Sequence, residues 1–313
     1  MTTSPLPSFV HLPNGIDASL LERVFGEEFT VAAPFGGIGD IHSDHVDRIL
    51  TFLSDSELVG TINDNPRVSG VFCLAQDVAA LRADIQAFPV DQPKFYFFSL
   101  MDFLARNHHG AFQTSIGDGC DISPKAHVAS QSVTIGRGVV IEPGAFIAPG
   151  SIINDNVLIR ANATVGVDGF QHQHTARGLV SPMHDGWAII GAGAEIGYSA
   201  SISRGFSYRS TQIGADTKLD AMVYVAHGVS VGRSSIICAH AAIMGHVSIG
   251  EMCWIGPNSV IASRKNIGDG AKISLGAVVT TDVEKSARYS GNFAVPHSQL
   301  IAELKDRASK IKP

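Results

Sequence analysis

Residues 213–279 read IGADTKLDAMVYVAHGVSVGRSSIICAHAAIMGHVSIGEMCWIGPNSVIASRKNIGDGAKISLGAVV, and this stretch decides the fold. An aliphatic residue recurs at every sixth position, through Ile213, Val225, Ile243, Ile261 and Val279 among others. An α-helix, with 3.6 residues per turn, would scatter these side chains around its axis, and a strand alternates with period two. A period of six instead predicts a solenoid, in which each short flat segment contributes one inward-pointing side chain.

The period also predicts the shape of the solenoid. Three segments, about 18 residues, would close one triangular coil of a parallel β-helix, and coils would rise by ~4.8 Å, the spacing of paired strands. Gly often follows the aliphatic residue, as in Ile249-Gly250 and Ile267-Gly268, and small or polar residues fill most other positions. Such residues suit tight corners. We therefore predict a mainly β protein organised around a parallel β-helix of hexapeptide repeats.

The repeat continues towards the N-terminus with interruptions. It starts near Ile116, gains one extra residue after Val128 and resumes at Ile135. Two breaks follow, at residues 166–188 and 203–212. Because a long loop inside a regular solenoid is usually functional or makes contacts, the first break is expected to contribute to a site. The predicted β-helix covers residues 111–297.

Both ends of the chain lack the six-residue period. Residues 1–110 contain runs that predict a small α/β domain with a mixed sheet. Strands are predicted at 49–53, 68–74 and 94–98, and helices after the capping residue Asp17, at 75–83 and at 99–106. Residues 298–313 predict a C-terminal helix, because Leu300, Ile301, Leu304 and Ile311 lie on one helical stripe.

Composition narrows the class of protein. A length of 313 residues favours more than one domain, and 32 glycines with 7% aromatic residues suit a solenoid rich in turns. The net charge of −6 and the lack of a Lys/Arg run argue against nucleic acid or an anionic membrane as partner. No apolar run reaches the ~20 residues of a membrane span, and residues 1–13 lack the pattern of a signal peptide.

The cysteines indicate the compartment. The four cysteines lie far apart and form no CxxC pair. Reduced thiols in a cytoplasmic protein are the expected state.

Several motifs resemble one enzyme family. Residues 165–170, VGVDGF, are similar to the VGxDGF segment of the UDP-3-O-acylglucosamine N-acyltransferases of lipid A synthesis. Residues 203–205 resemble that family's DRG, and residues 218–220 and 289–291 match in kind. Residues 225–229, VAHGV, resemble its IAHNV, whose histidine is the family's catalytic base. The resemblance implies a left-handed β-helix and an N-acyltransferase that acts on a nucleotide-linked amino sugar.

Departures from the family pattern bear on the substrates. Ser203 stands where the family has Asp, Gly228 where it has Asn, and His246 where it has Ser, and the aromatic residues that hold uracil have no clear counterpart. These differences favour a related reaction, with acyl-CoA as donor and a dTDP- or UDP-linked amino sugar as acceptor, for surface polysaccharide (O-antigen) or lipopolysaccharide synthesis. The alternative is the lipid A enzyme itself, with acyl carrier protein as donor. No cofactor is expected beyond the co-substrate acyl-CoA.

His227 is the predicted general base, because an imidazole with a pKa near ~6.5 can take the amine proton at neutral pH. Asp220 is predicted to orient that imidazole or to bind the substrate ammonium. By the family match, the amide of Gly245 is the candidate oxyanion donor. His246 follows His227 by nineteen residues, so it is expected one coil above, on nearly the same edge of the solenoid.

The remaining predicted contacts come from both breaks and from later coils. The candidate substrate-binding residues, besides His246, are Phe170, His172, Trp187, Arg204 and His240. The candidate donor-binding residues are Trp254 and Arg264. Flat solenoid faces pack well side by side, so we also expect a homotrimer with His227 at a subunit boundary.

Two other classes of protein stay open at this point. Zinc-dependent carbonic anhydrases share this type of solenoid, with three histidine ligands shared between subunits, and His227, His240 and His246 could supply three neutral imidazole ligands. A non-catalytic scaffold or sugar-binding solenoid is the third possibility.

Overall fold

The computed structural model describes residues 12–108, 110–206, 208–291 and 296–310. Residues 1–11, on which most of the signal-peptide prediction depends, and Ile311 of the predicted C-terminal stripe lie outside this set. No helix in the described parts of the chain has the length and hydrophobicity of a membrane span. The chain forms an N-terminal α/β unit, a long solenoid and a terminal helix, His297–Lys310.

The N-terminal unit contains a four-stranded sheet in which all neighbouring strands are parallel, in the order β1-β2-β3-β4. The strands are β1 Gly37–Ile38, β2 Ile49–Phe52, β3 Val68–Cys73 and β4 Gln86–Pro89. The helices are α1 Ala18–Phe25, α2 Val59–Asp64 and α3 Pro93–Asn107, with 3₁₀ turns at Ser56–Leu58 and Ala75–Ala80. The predicted α/β class is confirmed, but the predicted mixed sheet is wrong.

The N-terminal helices show where local sequence signals succeed and fail. The Oδ1 atom of Asp17 accepts a hydrogen bond of 2.8 Å from Leu20 N, so the predicted cap of α1 is confirmed. The strand predicted at 94–98 is wrong, because those residues form the first turns of α3. Pro93 occupies the first turn, where a missing N–H costs nothing. Tyr96, Leu100 and Leu104 then fall four residues apart and are buried.

The solenoid is a left-handed parallel β-helix with three faces, as predicted. The first face consists of Ser115–Ile116, Val133–Ile135, Ser151–Ile153, Ala188–Ile190, Thr211–Ile213, Ser230–Val231, Ser248–Ile249 and Asn266–Ile267. The second consists of Asp121–Ile122, Val140–Ile141, Leu158–Ile159, Glu195–Ile196, Lys218–Leu219, Ile236–Ile237, Trp254–Ile255, Lys272–Ile273 and Arg288–Tyr289. The third consists of His127–Val128, Phe146–Ile147, Thr164–Val167, Ser201–Ser203, Tyr224–Val225, Ala242–Ile243, Val260–Ile261 and Val278–Val279.

One aliphatic side chain per segment fills the interior. Those of Ile190, Ile196, Ile237 and Ile243 are fully buried and belong to one continuous core. Strand neighbours pair in strict register from coil to coil, as Ile237 does with Leu219 below and Ile255 above. From Ile135 to Val279, stacking therefore buries the same position in successive coils, which explains the six-residue period.

Both breaks leave the solenoid between the third face and the first. We call this edge the loop corner, and it comprises residues 148–150, 168–187, 204–210, 226–229, 244–247 and 262–265. The longer break carries an antiparallel hairpin, Gln173–Thr175 with Gly178–Val180, that packs on α3. Met183 N donates to Asp102 Oδ1 of α3 at 2.9 Å. The shorter break places Phe206 in the core of the N-terminal unit, so the two units share packing at this edge.

One inward and one outward residue test the packing of the solenoid. Ile237 is fully buried, whereas Gln212 on the first face points outward and is exposed. Ile237→Ala is expected to lower the free energy of unfolding by about 2–5 kcal/mol, because it leaves a cavity between coils. Gln212→Ala should cost less than half as much. Denaturant unfolding of both variants at equal protein concentration measures the difference, and equal losses would contradict the inward stacking.

Candidate functional site

The loop corner stacks residues from successive coils. His227 lies one coil below His246, and the backbone N–H of His246 donates to the carbonyl of His227 at 3.0 Å. One coil further on, the N–H of Arg264 donates to the carbonyl of Gly245, again at 3.0 Å. Gly228, His246 and Arg264 have φ values of 67°, 62° and 61°. This left-handed backbone turns the chain from the third face to the first once per coil.

Aromatic rings from three segments meet at this corner. The ring of His227 lies 5.3 Å from that of His184, 5.2 Å from that of Phe206 and 5.2 Å from that of His246, measured between centroids. His184 stacks on Phe206 at 4.4 Å with an interplanar angle of 20°. We call His184, Phe206, His227 and His246 the ring cluster. The long break, the short break and the regular coils each contribute to it.

Two glycines lie against the two nitrogens of His227. A Cβ atom added to Gly245 would fall 2.8 Å from His227 Nε2, and one added to Gly169 would fall 2.9 Å from His227 Nδ1. Real Cβ atoms do not approach that closely, so any side chain at either position would displace the imidazole. Gly245, the candidate oxyanion donor, therefore lies beside the nitrogen of the predicted base. Its role as a donor stays a prediction.

Burial keeps the three imidazoles neutral. It lowers the pKa of His184 to about 3, that of His227 to about 4 and that of His246 to about 4. The positive charge of Arg264 lowers the pKa of His227 further. Each ring can therefore accept a proton at neutral pH, although burial makes it a weaker base than free imidazole.

Two arginines supply positive charge beside the ring cluster. The Nη2 atom of Arg209 donates to the His246 carbonyl at 3.3 Å and to Ser248 Oγ at 3.0 Å. Burial lowers the pKa of Arg209, and the charge of Arg264 adds to that effect. Arg264 itself is exposed. Since two cations approach each other here, an anionic ligand group would be favoured at this part of the corner.

A cavity opens at the same corner in the earlier coils. Its volume is about 400 Å³, and its walls are largely apolar, with Phe146, Ala148 and Met183 among them. Asp168 and Arg204 lie at its edge, joined by an ion pair of 2.8 Å between Arg204 Nε and Asp168 Oδ1. Arg204 is buried, whereas Asp168 is half exposed. The predicted contact residue Arg204 thus faces a space that a ligand can enter.

Three of the predicted residues do not reach His227 within one chain. Asp220 and His240 lie at the corner between the second and third faces, and Trp254 lies on the second face. Asp220 is exposed, and its Oδ1 accepts from the N–H of Ala221 at 2.7 Å. The prediction that Asp220 orients the imidazole is therefore wrong within a single chain, since seven residues carry the chain past one whole face. A contact of Asp220 with a substrate ammonium stays a prediction.

The same placement bears on two other predictions. His240 is separated from His227 and His246 by a face, so the three-histidine zinc site is not assembled in one chain. Among the residues that the structure describes, no group of three His, Cys, Asp or Glu side chains has a geometry that could hold a metal. The predicted donor residues also separate, because Arg264 stacks over His246 at the loop corner while Trp254 lies on the second face.

The long break contributes differently from the prediction. Phe170 is 81% exposed and meets only the ring of His172, at 4.5 Å, among the aromatic contacts of the described residues. The Nδ1 atom of His172 lies 2.8 Å from Ser181 Oγ. Trp187 is buried near Phe112. Substrate contacts by these three residues stay predictions, because none of them joins the ring cluster.

His184 and Phe206 are the site residues that the sequence did not single out. Both lie in breaks of the repeat, where the six-residue period does not predict the position of a side chain. A signal was present for His184, because it is one of three histidines in the long break. It also stands three residues before Trp187, where the run Trp187-Ala188-Ile189-Ile190 resumes the repeat. Only the folded chain shows that its ring meets that of His227.

Comparison with known proteins adds the following. Residues 132–166 match the model of the bacterial transferase hexapeptide (six repeats). The UDP-3-O-acylglucosamine N-acyltransferase of Methylobacterium nodulans is 33% identical over 150 residues, which cover 48% of this chain and 42% of that protein. The protein of the same name from Bordetella pertussis is 34% identical over 143 residues, which cover 44% and 39%. The matches thus span less than half the length of these relatives.

A solved acyltransferase structure is also similar to this chain. The structure of Arabidopsis UDP-N-acetylglucosamine acyltransferase is similar with a TM-score of 0.52 and 26% identity, over 57% of this chain and 62% of that one. The resemblance to hexapeptide-repeat acyltransferases that the motifs indicated is therefore confirmed. All three of these proteins are named as acyltransferases.

The buried histidines predict how stability depends on pH. Their folded-state pKa values lie below the ordinary 6.5, so the unfolded chain binds more protons between about pH 6.5 and pH 4. The stabilising effect of their neutral state is complete above pH 6.5 and is lost as the pH falls. One pKa unit corresponds to about 1.4 kcal/mol. The free energy of unfolding should therefore fall steeply on acidification.

Variants isolate this effect from that of other groups. His184→Phe removes one titrating ring, so its free energy of unfolding should fall less steeply between pH 6.5 and pH 4 than that of the wild type. His297→Gln, at an exposed histidine of the terminal helix, serves as the control and should follow the wild-type curve. Urea unfolding across this pH range makes the measurement. Parallel curves for wild type and His184→Phe would contradict a neutral His184.

Proposed function

We propose that this chain transfers an acyl group from a pantetheine thioester to the amine of a UDP-linked amino sugar. The curated relatives are named UDP-3-O-acylglucosamine N-acyltransferase. That name supports a UDP-linked acceptor over the dTDP-linked acceptors that the departures from the family pattern had favoured. It thus favours what the sequence offered as the alternative, the enzyme of lipid A synthesis. The product would enter lipid A or a related surface glycolipid.

The observation that carries the proposal is the environment of His227. A neutral imidazole lies at a corner where two breaks in the solenoid converge, with Gly245 beside its Nε2 atom and Gly169 beside its Nδ1 atom, so that neither position places a side chain on these nitrogens. A buried histidine with no structural ion pair suits proton transfer better than it suits stability, because burying a polar ring costs free energy. This environment supports the proposal that the His of the VAHGV motif acts as a general base.

The reaction needs little beyond this group. The sugar amine attacks the thioester carbonyl, a C–N bond forms and the C–S bond then breaks. The proton that the amine loses passes to the neutral ring of His227, and the imidazolium returns it to the departing thiolate, which leaves as a thiol. The negative charge on the carbonyl oxygen needs an N–H donor, for which Gly245 is the candidate. Protons and electrons balance without a further reactant.

The charges at the corner suit an anionic substrate. The guanidinium groups of Arg209 and Arg264 are placed to attract phosphate, which both the nucleotide sugar and the donor carry. Arg264 was predicted to meet a donor phosphate, and its exposed position next to the ring cluster supports that role. Whether the donor is acyl-CoA, as the acidic net charge favours, or acyl carrier protein is decided by assay.

We also propose a homotrimer, with the loop corner of one chain facing a neighbouring chain. The second face carries exposed apolar side chains, and Ile236 and Trp254 pair in register on adjacent coils. Apolar patches of this kind on a solenoid face are typical of protein contacts. A neighbouring chain would also bring a second set of corner residues, Asp220 and His240 among them, towards a shared cleft.

The role of His227 is tested by substitution. His227→Asn should lower kcat/KM by about 10²–10⁴-fold, the usual contribution of a general base. The assay pairs acyl-CoA or acyl carrier protein donors with UDP- and dTDP-linked amino sugars and follows amide formation by mass spectrometry. His297→Gln is the control and should keep wild-type activity. A loss below tenfold in His227→Asn would exclude His227 as the base, and turnover only with dTDP-sugars would exclude the UDP assignment.

The assembly is tested by sedimentation. The wild type is expected to sediment as a trimer at micromolar concentration, and Ile236→Asp should dissociate it, because a charge would be buried without a partner. Gln212→Asp adds the same charge at an exposed site of the first face and is the control. A stable, active wild-type monomer would contradict the trimer, and a trimer that survives Ile236→Asp would contradict the use of the second face.

A further inference from the structure

We propose that His184 is a positioning residue for His227, and that its Nε2 atom accepts the Nδ1 proton of His227, directly or through one water molecule. The inference rests on the proposed function, since it assigns a partner to the base of that reaction. It also answers a need that the structure creates. Within one chain, the carboxylate predicted for this task, Asp220, lies on another edge of the solenoid.

Two buried nitrogens lie near each other at the ring cluster. His184 is 1% exposed and His227 is 7% exposed. The Nε2 atom of His184 and the Nδ1 atom of His227 are both buried, and neither has a hydrogen-bond partner among the residues that the structure describes. Leaving such an atom unsatisfied costs about 1–3 kcal/mol. A link between the two rings would satisfy both atoms at once.

Gly169 locates the point where these nitrogens converge. A Cβ atom added to Gly169 would lie 2.9 Å from His184 Nε2 and 2.9 Å from His227 Nδ1. Both atoms therefore border the same small volume, on the side of Gly169 where other residues carry a side chain. This gives a physical reason for Gly169 in the VGVDGF segment, since any larger residue would fill the space between the two nitrogens.

Packing alone does not require a histidine at position 184. The ring stacks on Phe206 at 4.4 Å and meets His227 edge to face at 5.3 Å, and a phenylalanine would make both contacts. Phenylalanine would also avoid the cost of a buried, unpartnered nitrogen. The polar atom of His184 therefore has a role other than filling the core.

The link fixes the tautomer of the base. If Nδ1 of His227 carries the proton and donates it to His184, then Nε2 keeps its lone pair and lies beside Gly245, where the amine and the thioester would meet. When His227 becomes an imidazolium, the same link stabilises the charged ring. A carboxylate does this in the serine protease triad. Here a neutral imidazole takes that position, and His227 consequently remains neutral until it accepts the substrate proton.

Two substitutions at position 184 distinguish the effect of the Nε2 atom from that of the ring. His184→Phe keeps the stacking but removes Nε2, and His184→Gln places an amide near the same point. We expect His184→Phe to fold with at least wild-type stability but to lower kcat by about tenfold or more. This loss in kcat should be smaller than the ~10⁴-fold loss that follows when a charged orienting carboxylate is changed. KM should change less than twofold, and His184→Gln should recover most of kcat.

The tautomer of His227 is measured independently of activity. Nitrogen-15 NMR of the histidine-labelled protein, with His227→Asn for assignment, should show protonated Nδ1 in the wild type and in His184→Gln. In His184→Phe the signals should shift towards the other tautomer or a mixture. An unchanged His227 tautomer in His184→Phe would overturn the inference, as would wild-type kcat in that variant. If no donor and acceptor pair turns over in the wild type, the proposed function fails, and the NMR result alone decides on the link.

Discussion

The stacking of one aliphatic side chain per hexapeptide is the constraint on which this structure depends. Each inward side chain contacts its equivalents above and below, as Leu219, Ile237 and Ile255 do on the second face. The corners between faces must then adopt a left-handed backbone at fixed intervals, which occurs even at residues with side chains, such as His246 and Arg264. A chain held in this way offers few places for irregular structure. Insertions are tolerated at corners, where they leave the inward positions of neighbouring coils unchanged.

Both insertions use the same edge, and the candidate site follows from that choice. The long break reaches α3 with its hairpin and returns His184 to the edge of the solenoid. The short break sends Phe206 into the core of the N-terminal unit, where Tyr208 stacks against it at 5.5 Å. The regular coils supply His227 and His246 at the same edge. The site is thus a junction between a rigid prism and a second folded unit, which favours precise placement of the rings.

Burial at this junction sets the chemistry. Three rings of the cluster are buried and that of His246 is half-buried, so charged imidazoles are disfavoured, and the nearby guanidinium groups of Arg209 and Arg264 disfavour them further. In the proposed reaction His227 takes the proton of the sugar amine, and the phosphates of the nucleotide would offset the positive charge of the two guanidinium groups. Because burial also weakens the base, proton transfer depends on how the ring is oriented and on what stabilises it once charged. The contacts of Nδ1 then matter as much as the position of Nε2.

The sequence by itself determined the solenoid and the position of its two breaks, and it singled out His227 as the candidate base. These follow from a strict period and from short motifs, in which each residue is read against its near neighbours. The sequence also placed His246 one coil above His227, since eighteen residues make one coil. Prediction from the sequence failed where contacts between distant segments decide the structure. The aromatic run in α3 has strand-like residues, yet burial against the parallel sheet selects the helix. Asp220 is near His227 in sequence, but the period that sets the fold carries it to another edge. His184 and Phe206 have no period to position them, and only the packing of the breaks between solenoid and N-terminal unit brings their rings to His227.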